Sequence, residues 1–330
     1  MPRFVAHLSN SLKQLLPVIT LAGWLIGCET VVDVDIPDEP PRLVLNAFLQ
    51  ADSAVVAELT ASQSILTNAF LPPVDGALVT LLEEGQPVAT LEESERVGIY
   101  ASPFTPSVGK TYTLRVSKAG FAPVEGSTLI PAPMVVRAVA ADTVTMDRRF
   151  SVDPHNTKAT FSLGEVRITL DDPGDERNYY GVSAYHYERG FKGERDSRGN
   201  YVITDTVRTV RSIYFSSDDP ATASVVDEFE GGSETASNII SFSDAFFDGN
   251  TYSLRLTQDV LSNWDATYTQ LHLVLHATDE AQYRYFRAVQ LQYENQDNPF
   301  AEPVQVYSNV KNGFGIVAGS SASRVVVELK

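Results

Sequence analysis

The sequence predicts a mainly β protein, with an N-terminal sandwich of short strands followed by a larger β-rich domain that contains about one helix. Three observations predict it. Period-two apolar segments recur from residue 42 onward, Gly and Pro clusters punctuate them, and only residues 280–294 carry a helical pattern. With 330 residues, 43% of them hydrophobic and 10% aromatic, the chain is long enough for two ordinary domains and can bury a core in each. The formal net charge of -17, from 25 basic against 42 acidic residues, gives no electrostatic footprint for nucleic acid or for an anionic membrane face.

Residues 1–27 read as a lipoprotein signal peptide. Arg3 and Lys13 supply the basic region, Leu15 to Ile26 the apolar run, and Leu25-Ile26-Gly27-Cys28 a lipobox. Gly27 is small enough for a peptidase to cut before Cys28, whose thiol then takes a diacylglycerol. The single cysteine of the chain excludes an internal disulfide and a Cys-based zinc site, and it falls where lipidation needs it. The apolar run is too short for a spanning helix, which needs roughly 20 residues. Cleavage removes two basic residues and no acidic one, so the net charge of -17 becomes -19. An anchor of several acyl chains holds a protein stably, whereas one chain binds marginally.

Residues 28–41 form an acidic tether or first strand, in which Val32, Val34 and Ile36 alternate with Asp33 and Asp35 before Pro37, Pro40 and Pro41. The predicted sandwich occupies 42–131. Its strands are Leu43 to Leu49, Val55 to Thr60, Ala77 to Leu82, Val88 to Leu91, Tyr112 to Val116 and Phe121 to Ile130. Gly109-Lys110-Thr111 is not a phosphate loop, because Phe104 stands where the first glycine belongs and no helix pattern follows. Pro131 and Pro133, with few aromatics over 132–145, suggest a boundary, so that 132–330 is the second domain. There the expected strands are Glu165 to Leu170, Tyr179 to Tyr187, Tyr201 to Val210, Ser212 to Phe215, Tyr252 to Thr257, Leu271 to His276 and Val304 to Tyr307. Ser216 to Ser237 reads as a long loop. Thr278 or Asp279 caps the helix, with Tyr283, Phe286, Gln290 and Tyr293 along one face as core residues.

Sites of chemistry are few. His272 and His276, four apart in a strand, share a face but stand about 13 Å apart, too far for one metal ion. Asp171-Asp172-Pro173-Gly174-Asp175-Glu176 packs carboxylates around a turn without the ligand spacing of a calcium loop, and Asp218-Asp219-Pro220 repeats the theme, so both read as solvated turns. No nucleophile elbow, paired-His helix or dinucleotide fingerprint occurs. The expectation is a protein without catalytic residues, metal or cofactor. Tyr179, Tyr180, Tyr185, Tyr187 and Tyr214 concentrate beside a loop from Glu188 to Asn200; alternation puts 185 and 187 on one face. Core packing is the favoured role of these tyrosines, and surface recognition the other.

Two resemblances add to this reading. Val74-Asp75-Gly76-Ala77-Leu78-Val79, Gly98-Ile99-Tyr100, Gly109 to Val116 and Gly120-Phe121 resemble the transthyretin-like, carboxypeptidase-regulatory type of immunoglobulin-like module. The lipobox, that module ending at Ile130-Pro131, the Asp-Asp-Pro-Gly segment before Asn178-Tyr179-Tyr180, and Asn298-Pro299-Phe300 leading to Ser308-Asn309-Val310-Lys311-Asn312-Gly313-Phe314-Gly315 together carry the second. In them the mature chain resembles Bacteroidota outer-membrane lipoproteins that carry a large domain of unknown function and are commonly encoded beside TonB-dependent receptors. The acidic residues after Cys28 likewise resemble surface-export signals of such lipoproteins. The resemblance implies a lipid-anchored, surface-exposed outer-membrane protein that works with a TonB-dependent receptor in nutrient uptake, as a non-catalytic binding or accessory partner. A cell-envelope structural or adhesive protein and a surface hydrolase are the alternatives.

Changing Cys28 to Ala is expected to release the protein from membranes in detergent-free buffer. Fractionation checks this, and retention with the outer membrane would contradict the anchor.

Overall fold

The computed structural model describes residues 39–328 except 65, 66, 68, 150–157, 175, 223–238, 260–269, 296–300 and 303. The expected signal peptide, Cys28 and most of the expected 28–41 tether therefore lie outside the described residues. The protein is mainly β, as its patterning predicts.

Seven strands lie between residues 42 and 131: β1 (Leu43–Gln50), β2 (Val55–Ala61), β3 (Leu78–Glu83), β4 (Gln86–Glu93), β5 (Ile99–Ser102), β6 (Thr111–Ser117) and β7 (Val124–Leu129). On β1 the alternation buries Leu43, Leu45, Ala47 and Leu49, which meet Val79, Leu81, Leu114 and Val116 in the first core. β4 joins the two layers, pairing with β3 through Val79↔Leu91 and with β5 through Glu93↔Tyr100. Two buried tyrosines tie turns to this core. The Tyr100 hydroxyl donates to Val74 O (2.8 Å) and accepts from Ala77 N (3.0 Å), and the Tyr112 hydroxyl donates to Glu83 (2.8 Å).

The second core lies between β9 (Lys158–Asp171) with β13 (Thr251–Asp259) on one side and β10 (Tyr179–Arg195), β12 (Ile239–Ser243) and β14 (Gln270–Thr278) on the other. Ile168, Leu170, Leu254 and Leu256 face Val182, Leu271, Leu273 and Leu275. β8 (Val135–Arg149) pairs with β9, and β11 (Tyr201–Ile213) with β10. β8 begins just past Pro133, within the aromatic-poor 132–145 stretch, and a bulge between Val136 and Ala138 brings Val136, Val139 and Ala141 onto the second core while Val135 stays exposed. The chain does leave one sheet for another between β7 and β8.

A last strand, β15 (Phe314–Glu328), unites the two cores. Its first half pairs in parallel with β1, from Val44↔Phe314 to Gln50↔Ser320, and its second half pairs antiparallel with β14 from Thr278↔Ser320 to Gln270↔Glu328. Val317 enters the first core, whereas Val325 and Val327 pack on the second. The segment 42–131 is thus completed by a strand whose residues pair with β1 across 270 positions, as Val44↔Phe314 (314 − 44) shows.

Val304 to Tyr307, expected as a strand, forms none and pairs with no sheet among the described residues. The residues after it clamp β7 to β15. Asn309 Oδ1 accepts from Val317 N (2.9 Å), while its Nδ2 donates to Val317 O (2.7 Å) and Ser127 O (3.1 Å). Lys311 and Glu125 exchange backbone hydrogen bonds, and Asn312, at φ 60°, donates to Pro123 O (3.3 Å). This stretch specifies the fold, in keeping with its turn residues.

The predicted helix is α1 (Glu280–Asn295). Of the two capping candidates, Asp279 does the capping: its Oδ1 accepts from Gln282 N (2.8 Å) and its Oδ2 from the Thr128 hydroxyl (2.6 Å), linking the helix to β7. α1 lies on the outer side of β1 and β15, where Ala281 and Tyr285 meet Ile316 and Ala318. Phe48 stacks on Phe286 at 5.7 Å, a contact worth about 1 kcal/mol beyond burial. Tyr283, by contrast, meets Tyr179 in a tilted ring contact at 4.9 Å.

Gly313 tests the parallel join. A Cβ there would press into the Leu43 carbonyl oxygen and approach Val124 Cγ1 at 2.7 Å, so Gly313→Ala is expected to lower stability by on the order of 3 kcal/mol. Gly109, at φ 77° but with open space around it, is expected to cost about 1 kcal/mol on the same change. Urea unfolding midpoints check the order of the two.

Candidate functional site

Alternation on β10 and β14 sends Val182, Ala184, Leu271, Leu273 and Leu275 to the core and leaves Tyr185, Tyr187, His272 and His276 on the opposite face. Tyr185 and Tyr187 share that face, as their spacing requires. The His272 ring lies flat on Tyr185 at 5.0 Å and edge-on to Tyr187 at 4.9 Å. From β11 the Arg208 guanidinium sits 3.5 Å over the Tyr187 ring. His272 Nε2 is buried without a hydrogen-bond partner. Burial pushes the Tyr185 hydroxyl up, and Tyr187 beside it adds to the effect. The result is a half-buried aromatic and cationic platform on one sheet face.

The two histidines stand apart on this strand and contact different groups. His276 Nε2 lies 3.3 Å from Ser183 Oγ, and burial, helped by Arg324, pushes its pKa down, so the ring is neutral near pH 7. This is a nucleophile and a base within near reach, but no carboxylate hydrogen-bonds His276 among the described residues.

The remaining tyrosines separate. Tyr180 is core, Tyr179 packs under α1, and Tyr214 is exposed. The expected loop from Glu188 to Asn200 is strand as far as Arg195, since the β10–β11 pairing runs from Ala184↔Ile213 to Arg195↔Tyr201. Only residues 196–200 turn. There Asp196 Oδ1 accepts from Arg198 N (2.8 Å) and Asn200 N (2.9 Å), and these N–H groups hold its carboxyl below the usual range. Among the described residues β14 pairs with β10 only as far as Tyr185, and beyond it the described pairing of β10 is with β11.

The carboxylate-rich turns are not the solvated turns that were expected. Asp171 faces Arg137 and accepts from the Thr251 hydroxyl (2.6 Å), which hold its pKa down. Asp172 is buried and accepts from the Tyr180 hydroxyl (2.6 Å) and Gly249 N (2.9 Å). It meets Asp244 and Asp248, with one oxygen of each within 4.8 Å of the others. Asp175 lies outside the described residues. Asp244 is fully buried; its Oδ2 accepts from Asn178 N (2.6 Å), and Arg177 Nε stands 3.1 Å from Oδ1 as an ion pair out of line for a hydrogen bond. Burial raises the Asp244 pKa despite the Asn178 N–H, and Asp172 raises it further. A hard cation takes such oxygens, yet protein donors already hold the two buried carboxylates. The knot joins the turn after β9 to the turn before β13.

Asp219 is likewise buried, accepting from Ala221 N (3.0 Å), Arg255 N (3.2 Å) and the Tyr252 hydroxyl, whose pKa is pushed up to about 12 by burial and by Asp219. Asp218 pairs with Arg255 at 2.8 Å. Sequence reading missed Asp244, Asp248 and Arg208. The repeated turn signals of Asp172-Pro173-Gly174 and Asp248-Gly249-Asn250 were available, but their meeting, Gly174 against Gly249, is tertiary.

Fold and surface together define a mainly β protein with two cores, one capped helix and an aromatic–cationic sheet face. Residues 29–325 match the family model described as a domain of unknown function (DUF4249), and the chain belongs to that family. Comparison with curated proteins and with solved structures gives no match.

The Asp244 pKa is raised above the ordinary 3.8, so its contribution to stability is present below 3.8 and lost as pH rises through the folded value. The stability of wild type relative to Asp244→Asn is therefore expected to fall between acid and neutral pH. Denaturation of both proteins across that range checks the sign.

Proposed function

We infer that this chain is a lipid-anchored, surface-exposed outer-membrane protein that serves a TonB-dependent receptor as a non-catalytic binding or accessory partner in nutrient uptake. The observation that carries the reading is Leu25-Ile26-Gly27-Cys28, with the sole cysteine at the lipidation position. Membership of a family defined by the stretch that begins just after that cysteine is compatible with it. The Tyr185–His272–Tyr187–Arg208 platform supplies a contact surface of suitable chemistry, since Tyr and Arg give large contact area and directed hydrogen bonds.

A surface hydrolase is the second reading, and the Ser183–His276 approach at 3.3 Å is what favours it. A Ser183→Ala variant that loses a measurable ester- or amide-cleaving activity would select it.

Purification of the native lipoprotein from solubilised outer membranes is expected to bring down a TonB-dependent receptor identified by its peptide masses. The double variant Tyr187→Ala/Arg208→Ala is expected to recover about tenfold less, as loss of contact residues at an interface predicts. Recovery of no receptor by wild type would overturn the partnership, and equal recovery by the variant would remove the platform from it.

A further inference from the structure

We propose that the loop between β2 and β3 is a second membrane contact, which inserts Phe70 and Leu71 into the lipid interface beside the acyl anchor. The proposal rests on the lipid-anchored reading and adds the orientation of the fold on the bilayer.

Phe70 is 100% exposed, the largest exposure among the large apolar side chains of the described residues, and Leu71 next to it is also exposed. Nothing within the fold accounts for presenting a phenylalanine to water, and its burial in an apolar phase is favourable. The loop is held so that it stands out. Ala61 N donates to Pro72 O (2.9 Å), Thr60 bridges Pro73, Thr67 N donates to Ser64 O (2.9 Å), and Gln63 Nε2 donates to Ala69 O. Two prolines at its end stiffen that exit.

Position selects the occupant. The base of the loop is tied to the residue preceding β1, for Ser62 N donates to Arg42 O (2.8 Å) and Arg42 N to Ser62 Oγ (2.9 Å). Arg42 follows Cys28 by 14 residues, so the chain between them spans at most about 50 Å. The start of β1 is therefore the part of the fold most closely leashed to the anchor. The same rim presents two further exposed apolar side chains. Phe314, paired with Val44, lies under the Arg42 guanidinium at 5.4 Å, and Val97 precedes Gly98, which packs on Pro73. Aromatic rings and arginine are the side chains that the headgroup region accommodates. A lipid surface, reached through apolar side chains and needing no anionic lipid, fits a chain whose net charge of -17 becomes -19 on removal of Arg3 and Lys13. A protein partner would not need to sit at the leashed end.

The test places a tryptophan at the tip. Phe70→Trp and, as a comparison, Val210→Trp on exposed β11 are purified as the cell makes them and placed on phosphatidylcholine vesicles, with unmodified protein as the blank for its own tryptophans. The mass of the peptide that contains Cys28 tells whether the thiol is acylated, and a free thiol is coupled to a maleimide lipid so that the measurement proceeds in either case. Brominated phosphatidylcholine is expected to quench the residue-70 tryptophan about twofold or more beyond the residue-210 tryptophan, with a blue-shifted emission, as interfacial insertion requires. Equal quenching at the two positions overturns the second contact. Loss of acrylamide access that depends on protein concentration, without lipid quenching, also overturns it and identifies a second copy as the occupant. A free thiol together with strong quenching after coupling would sink the anchor and leave the loop as the membrane contact.

Discussion

The parallel pairing of β1 with β15 is the constraint on which the rest of this structure depends. It places β1 beside β15, whose Val317 enters the first core while Val325 and Val327 pack on the second. Each of the two strands then serves two environments. On β1, Leu45 and Ala47 face the first core while Phe48 meets α1; on β15, Val317 faces that core while Ile316 and Ala318 meet the helix. Contacts of such sequence separation carry a loop-closure cost that rises slowly with length, and the backbone pairing together with burial of Leu45, Ala47, Ile316 and Val317 offsets it. The Asn309 amide fits this logic, because it hydrogen-bonds both the N–H and the C=O of Val317 and thereby brings β7 against β15 without another strand.

Buried and half-buried carboxylates do a similar task in the second core and at the start of α1. Asp172, Asp219, Asp244 and Asp279 each sit where turns or helix ends leave N–H groups or hydroxyls to satisfy. Their burial is costly, and the raised pKa values of Asp244 and Asp279 record that cost. In exchange each carboxylate joins segments distant in sequence, such as Thr128 to the start of α1. The acidity of this chain is therefore partly internal wiring, not only surface charge. The exposed pairs, Arg115 with Glu125 and Arg255 with Asp218, add little by comparison.

Legibility in the sequence followed the range of the interaction. Six of the seven strands of the sandwich region, all but β5, were visible within a residue or three of their bounds, since period-two burial and left-handed glycines are local. β5 was marked only by Gly98-Ile99-Tyr100. α1 was legible for the same reason, through its cap and its uninterrupted helix formers. β15 was not, because Gly315, Gly319 and the serines at 320, 321 and 323 have low strand propensity, and pairing on both edges with β1 and β14 overrides it. Of the candidate site, the shared face of Tyr185 and Tyr187 could be read, whereas Arg208 over Tyr187 could not, because it needs the register of β11.

What the sequence determined by itself was the class: mainly β, one helix near 280–294, acidic, with a lone cysteine at position 28. Those properties rest on composition and on intervals of two to four residues, which act before any fold forms. Only the tertiary structure decided that the two predicted domains share a strand and that Asp172 meets Asp244. It also decided that the 188–200 stretch is mostly strand and that the β2–β3 loop stands beside the start of β1. Each of these joins residues far apart in the chain, and strand pairing leaves that choice to whichever register buries the most apolar surface and satisfies the buried polar groups.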